Sequence, residues 1–500
     1  MPRWLVIALF GLALIAGARS LDSGFVHDDF SLVAGNRDLS RPGGWTALAT
    51  APLERWMGPG YPFYRPVAML SYGATVALAG PGPRAHHTVN LLVHALATLA
   101  LAALALALGE EPRTAALAAA LFALHPAHAE AIAWISARAD LLCALFALTA
   151  WRLSLLPLSP PAPALAFLAA LASKESAAAL PLALAASRNR LRVCIALFAT
   201  LALWMAIRAF VIAGPPPALR HQMVTRPAAE QARALAALAL ELAAHGAGAG
   251  TGRLDYTVNR LAAGPSTREH ALGAVALVLL AALALADLRR SRSGAVPWLA
   301  GFTASFAPLA GNLLRSGTAL FALRYYYLPS AFLCLGIARG GRSATVGVAC
   351  LAILWGARLQ VELAPFASAH ALWAHEEAVS PAWPVAPGDL GQALLAEHDA
   401  PAAEDAFRRS LALSAREGRR PPENLFGLAR ARLAQGDRRE AEALLLEAHA
   451  AAPEMPRLAA NLGFFYLTEK KPERARPFLE EALRLDPEDR VSRENLALLH

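Results

Sequence analysis

From Trp4 to about residue 362 the chain returns repeatedly to apolar runs long enough to form a membrane-crossing helix, and this repetition constrains the fold more than any other feature. One such run fits a buried core helix, but a long series of them exceeds what a water-soluble core can absorb. The runs lie at 4–18, 87–108, 113–127, 138–156, 192–212, 268–287, 295–313, 320–338 and 343–362, and 160–187 is a longer stretch interrupted by Lys174-Glu175. Composition agrees: 56% of the residues are hydrophobic and 17% charged, with a mean hydropathy of +0.39, against about 25% charged in soluble domains. Intrinsic disorder is excluded by the same values, because it needs low hydrophobicity. The first run follows Arg3 and resembles a signal peptide, with Ala16-Gly17-Ala18 as a cleavage-like stretch. So many spans follow that an uncleaved first helix is expected.

Charge is unevenly placed. Residues 380–500 hold 17 Lys+Arg against 20 Asp+Glu, and the remainder holds 29 against 18. The basic excess therefore belongs to the apolar part, where it orients helices, and gives no sign of a nucleic-acid partner. Arg3, Arg188/Arg190/Arg192, Arg289/Arg290/Arg292 and Arg339/Arg342 are expected on the cytoplasmic side. Keeping them there requires 160–187 to cross twice, as a hairpin tipped by Ser173-Lys174-Glu175, and 229–246 to lie on the outer surface. The sum is about eleven spans in a multi-pass plasma (inner) membrane protein, amino terminus inside and carboxyl terminus outside. Cys143, Cys194, Cys334 and Cys350 all fall in apolar runs and outline no disulfide framework.

The tail is a different object. Ala441, Glu447-Ala448 and Pro453 recur 34 residues later as Ala475, Glu481-Ala482 and Pro487, and Asn461-Leu462 recurs as Asn495-Leu496. Leu390-Gly391, Ala403 and Ala406-Phe407 fit the same template one unit earlier, after an insertion at 417–422. A 34-residue period with small packing residues and a closing proline is the tetratricopeptide signature, a helix–turn–helix unit that stacks into a solenoid. The expected fold is all-α: a polytopic membrane bundle over 1–365, a linker over 366–380, and about three repeats plus a partial one over 381–500.

Polar residues that membrane physics does not require are the functional candidates. The first loop expected outside, 21–86, opens with Phe25-Val26-His27-Asp28-Asp29-Phe30. Adjacent carboxylates at a helix exit can hold a metal, or one can act as a general base. Arg65 follows two tyrosines, and the stretch to Ala79 reads as a helix lying in the interface. In His86-His87-x-x-Asn90-x-x-x-His94, spacing puts Asn90, His94 and one of His86 and His87 on one helix face. They suit either a site or hydrogen bonding between helices. His125, His128 and Glu130, followed by Arg138 and Asp140, could ligate a metal or hydrogen-bond. Lys174-Glu175 is a neutralising pair or a phosphate contact, and Arg324 heads an aromatic run, Tyr325-Tyr326-Tyr327.

The ordered strings FVHDDF, YRPVAMLSY, HHTVNLLVHA, LFALHPAHAEAIAWISARADLL, SKES and RYYYLPS, followed by the repeats, resemble the transmembrane and tetratricopeptide-repeat O-mannosyltransferases and their bacterial relatives. These are polytopic glycosyltransferases of the GT-C class. The resemblance runs along essentially the whole chain. It implies an inverting enzyme that moves sugar from a polyprenyl-phosphate donor to an acceptor outside the cytoplasm, with the acidic pair of the first external loop, here Asp28 and Asp29, carrying catalysis. Leu323 stands where relatives often have a glutamate, and the repeat array is shorter than in the animal proteins.

Sugar transfer with inversion needs one carboxylate to accept the acceptor hydroxyl's proton and a cation or metal to offset the charge on the leaving phosphate. Asp28 or Asp29 suits the first task. Arg65, Arg138, Lys174 and Arg324 are candidates for the second, and a divalent metal is a further possibility. Expected partners are membrane lipid, a lipid-linked sugar, a protein or glycan acceptor, and a peptide held by the repeats. A membrane-anchored scaffold and a transporter of lipid-linked sugars are the alternatives.

Overall fold

The computed structural model describes residues 1–58, 61–187, 191–212, 228–250, 252–254, 267–290, 292–315, 322–340, 345–416, 418–487 and 489–499. All regular elements among them are helical. The chain divides into two compact units, Met1–Ser368 and Ala369–His500.

In the first unit each expected span is met by a helix. Several begin with proline, as at Pro83, Pro112 and Pro161, where the missing N–H costs nothing and the fixed φ suits a first turn. Among the described residues five helices are long and apolar enough to cross a membrane: Arg3–Asp22, Pro83–Ala107, Leu191–Val211, Ala271–Arg290 and Thr345–Ala367. A sixth span would be the pair Pro112–Leu124 and Pro126–Ala133, bent by 53°. The rest are shorter. Pro161–Ser173, 13 residues, reaches about 20 Å against a hydrocarbon core of about 30 Å. The core lies between Pro83–Ala107, Pro112–Leu124, Arg138–Leu155, Pro161–Ser173 and Tyr327–Ala338, around Leu101, Phe122, Leu148, Trp151, Phe167 and Phe332. Buried alanines such as Ala97, Ala105, Ala118 and Ala144 let these helices approach closely.

Ala228–Gly246, the segment expected on the outer surface, packs against Thr267–Arg290 and buries Ala237, Leu238, Ala243 and Ala244. Within the stretch expected as a linker, Ala369–Val379 is a helix of the second unit, held by buried Leu372, Trp373 and Glu376.

Among its described residues that second unit shows three helix pairs: Val385–Ala396 with Ala400–Ala415, Pro422–Ala434 with Arg438–Ala451, and Pro456–Thr468 with Pro472–Leu485. Arg490–Ala497 begins a fourth. The recurring Ala441, Ala448, Ala475 and Ala482 are fully buried, because only small side chains fit where paired helices cross.

Candidate functional site

The first long loop is a packed layer. Leu32, Val33, Leu39, Leu48, Leu53, Met69 and Tyr72 form its core together with Ile135 from the second loop. Asp38 ties it internally, accepting from Arg55 Nε at 2.8 Å and Trp56 Nε1 at 2.9 Å. Despite the cost of burial, these donors hold its carboxyl below the usual range. Gly44 permits the tightest turn, since a Cβ there would sit 1.9 Å from the Asp38 carbonyl oxygen. The helix Pro66–Ala79 buries Ala68, Met69, Tyr72 and Thr75 in this layer. Its Tyr72 hydroxyl donates to the Ile135 carbonyl at 3.2 Å.

On this platform Asp28 and Asp29 diverge. Asp29 is fully buried and accepts from the Val26 N–H at 3.1 Å and the Ser136 N–H at 2.8 Å, so its two oxygens fasten the first loop to the second. Burial pushes its carboxyl up to about 7, the two backbone donors offset part of that rise, and the Asp28 charge adds to it. Asp28 keeps 21% of its side chain exposed and lies 3.4 Å from His27 Nε2. Arg324 is within its electrostatic reach.

Three cation–carboxylate pairs stand around Tyr325. Arg65 meets Glu175 through two N–H groups, at 2.7 and 3.3 Å. Lys174 Nζ donates to Asp140 Oδ1 at 2.6 Å and lies 4.1 Å from the Tyr325 ring centroid. Arg324 pairs with Glu130 through its guanidinium, and its backbone N–H donates to the same carboxylate at 3.0 Å. The Arg324 guanidinium covers Trp134 at 4.9 Å and Tyr325 at 5.5 Å, and His27 packs edge-on against Trp134 at 5.9 Å. Seven candidates, Asp28, Arg65, Glu130, Asp140, Lys174, Glu175 and Arg324, therefore gather from four separate segments. Trp134 and Tyr325 organise these cations without being among the expected site residues, although Tyr325 stands in the aromatic run that Arg324 heads.

Other candidates lie elsewhere. Arg138 is fully buried, and its five N–H groups go to Asn90 Oδ1 at 2.7 Å, the Ser71 carbonyl at 3.1 Å, Thr75 Oγ1 at 2.9 Å, the His86 carbonyl at 2.9 Å and His86 Nδ1 at 3.2 Å. No donor is left for a phosphate, so Arg138 joins helices instead. Asn90 also donates to the Trp134 carbonyl at 3.2 Å, and His87 approaches the Gly24 carbonyl at 3.4 Å. His94 pairs with the Tyr327 hydroxyl and His128 with Ser330, each at 2.7 Å. His125 stacks on His128 and packs on Trp355. These rings form an inner cluster apart from Glu130, which is engaged with Arg324. Among the described residues no three His, Cys, Asp or Glu side chains gather as metal ligands. Leu323, at the position where relatives often have glutamate, packs against Ala127 and Leu238.

Comparison with known proteins adds the following. Over 170 residues, 29% of this chain and 22% of the relative, the chain is 32% identical to protein O-mannosyl-transferase TMTC4 of Homo sapiens. Over 161 residues it is 37% identical to protein O-mannosyl-transferase TMTC1 of Mus musculus, covering 29% of this chain and 17% of that one. The curated relatives are protein O-mannosyl-transferases. They are the group that the ordered strings resemble, and the matches span about a fifth of their length. Residues 432–498 match a tetratricopeptide repeat model. The crystal structure of the APC/C hetero-tetramer Cut9-Hcn1 aligns with a TM-score of 0.28 at 14% identity, covering 87% of this chain and 92% of that one, too slight a likeness to bear on the fold.

Proposed function

We propose that the protein is an integral-membrane inverting glycosyltransferase that moves a sugar from a polyprenyl-phosphate donor to an acceptor hydroxyl outside the cytoplasm. The reading includes about eleven spans in an inner membrane, with the amino terminus inside and the repeats outside. The observation that carries it is the division of labour in the acidic pair. Asp29 spends both oxygens on backbone N–H groups, while Asp28 is open and faces the cation-rich side of the site.

In this reading Asp28 takes the proton of the acceptor hydroxyl as its oxygen attacks the anomeric carbon. The bond from that carbon to the phosphate oxygen breaks, and the electron pair leaves with the polyprenyl phosphate. Arg324 and Arg65, each partly exposed, meet the phosphate with N–H groups not used by their carboxylates. Glu130 and Glu175 hold those guanidinia in place beforehand, so little reorganisation accompanies the reaction. A divalent cation accompanying the donor phosphate would meet Asp28 rather than the pair, since Asp29 points away. The repeats hold a protein acceptor and raise its local concentration by tethering.

The test is sugar transfer by the purified protein in reconstituted membranes, with radiolabelled polyprenyl-phosphate sugars and envelope extract as acceptor. Asp28→Asn keeps the shape but cannot take a proton, so transfer should fall about 10²–10⁴-fold with folding intact. Asp29→Asn should lose activity together with loop order. Transfer at the parent rate by Asp28→Asn would sink the assignment, and no transfer by the parent protein would leave a scaffold.

A further inference from the structure

Indole N–H groups inside this chain usually find an acceptor. Trp56 Nε1 donates to Asp38 at 2.9 Å, Trp298 Nε1 to Asp287 at 2.8 Å and Trp355 Nε1 to the Ala247 carbonyl at 3.0 Å. Trp134 and Trp151 are buried and find none among the described residues. Trp151 lies in the apolar core, against Phe332 at 5.0 Å. Trp134, only 4% exposed, lies at the charged site. Arg324 covers its ring at 4.9 Å, and His27, the residue before Asp28, meets it edge-on at 5.9 Å. Ring nitrogens of His86, His87, His125 and His128 are also unpaired. Among the described residues, though, Trp134 is the unpaired group whose ring meets both Arg324 and His27.

Two local costs meet here. A buried donor without an acceptor loses its hydration and gains nothing in return, whereas phenylalanine would offer Arg324 an aromatic face without that loss. His27 adds the second cost, because its backbone is left-handed at φ 40°, which a residue with a side chain adopts only when its surroundings impose it. The Trp134 backbone is fixed independently of the indole. It is extended between the short helices Ala129–Ala133 and Ile135–Ala137, and its carbonyl accepts from Asn90 Nδ2 at 3.2 Å and the Ala137 N–H at 3.1 Å. The ring is thus held in place without using its polar atom. A donor kept desolvated and unpaired lets a site recognise a hydroxyl, because an analogue without that hydroxyl leaves the donor buried with no partner. Asp28 and Arg324 match an acceptor hydroxyl and a phosphate, and a neutral donor beside both matches a neutral oxygen.

We propose that the Trp134 indole N–H donates to a hydroxyl oxygen of the donor's sugar and so determines which sugar the site accepts. The role rests on the glycosyltransferase reading above. Arg324 and His27, which cover the ring, keep 22% and 35% of their side chains exposed. A phosphate that engages Arg324 draws the guanidinium off the indole as the sugar enters.

Binding is measured rather than transfer, so this role and the assignment of Asp28 can fail separately. The intact chain in detergent is titrated with undecaprenyl-phosphate mannose, undecaprenyl-phosphate glucose and undecaprenyl phosphate without a sugar, and affinity is read from the shift in thermal unfolding. Two variants remove the N–H: Trp134→Phe, and replacement of Trp134 by benzothienylalanine, which keeps the fused rings. Without lipid, the benzothienylalanine protein should unfold at the parent temperature, since the N–H has no partner to lose. In both variants, affinity for the better-bound sugar lipid relative to the bare phosphate should fall about tenfold, with bare-phosphate binding within about twofold of the parent. A preserved ratio in the benzothienylalanine protein overturns the proposal. So does equal weakening of sugar-bearing and bare lipids, which assigns the N–H to the phosphate, and so does a lowered unfolding temperature without lipid, which makes the N–H structural. A parent protein that binds none of these lipids overturns it together with the donor reading.

Discussion

Asp28 and Asp29 are neighbours in the chain and differ in most of their solvation. The turn at Val26–Asp29, closed by the Asp29 N–H on the Val26 carbonyl at 2.9 Å, sends one carboxyl inward and leaves the other at the surface. Asp29 therefore carries a pH signature. Its carboxyl is raised from 3.8 to about 7, so the folded state holds its proton more tightly than the unfolded chain does. The resulting stability is fully present below about pH 4 and is lost as pH rises through about 7. Melting in detergent should show the parent's advantage over Asp29→Asn shrinking across that window and flat above it. A gap independent of pH would place the carboxyl outside this environment. Arg138 makes a different prediction. Arg138→Leu leaves Asn90, Thr75 and His86 without their buried donor, at about 1–3 kcal/mol per orphaned group. Folded, monodisperse yield should drop sharply, and a well-folded variant would deny it the joining role.

At the scale of elements, the breaks matter more than the helices. Pro161–Ser173 stops at Lys174, whose side chain and that of Glu175 reach Asp140 and Arg65. Pro112–Leu124 bends at His125-Pro126 before delivering Glu130 to Arg324. Interrupted helices at membrane depth are tolerated where the freed groups are satisfied by protein, and here the interruptions hold the candidate residues. The 34-residue period identifies the repeats but not the helix before them. Ala369–Val379 packs on Val385–Ala396, and its buried Trp373 meets Trp383, in the turn between the two helices, at 6.1 Å. Trp373→Ala should cost about 3 kcal/mol or more, seen as faster hydrogen exchange across 369–415 in the intact chain. Unchanged exchange would make that helix dispensable.

For the whole molecule, orientation is the open variable that experiment can fix. Basic clusters in alternate loops lead us to expect a reporter fused after His500 outside the cytoplasm and one inserted at 188–192 inside. A cytoplasmic reporter at the carboxyl terminus would mean that Ala228–Gly246 crosses, or that 160–187 does not cross twice.

Apolar runs and the 34-residue period determined by themselves that the chain is helical, that several of its helices are apolar enough to cross a membrane, and that repeats follow. These are local signals, set by backbone propensity and by which faces must leave water. Recurring polar residues also marked Arg65, Glu130, Asp140, Lys174, Glu175 and Arg324 as candidates. Only the tertiary structure decided their partners, because each ion pair joins segments far apart in the chain, as Arg65 and Glu175 or Glu130 and Arg324 do. It also separated Asp28 from Asp29 and turned Arg138 inward, since burial and hydrogen-bond partners are properties of packed helices and not of the string that encodes them.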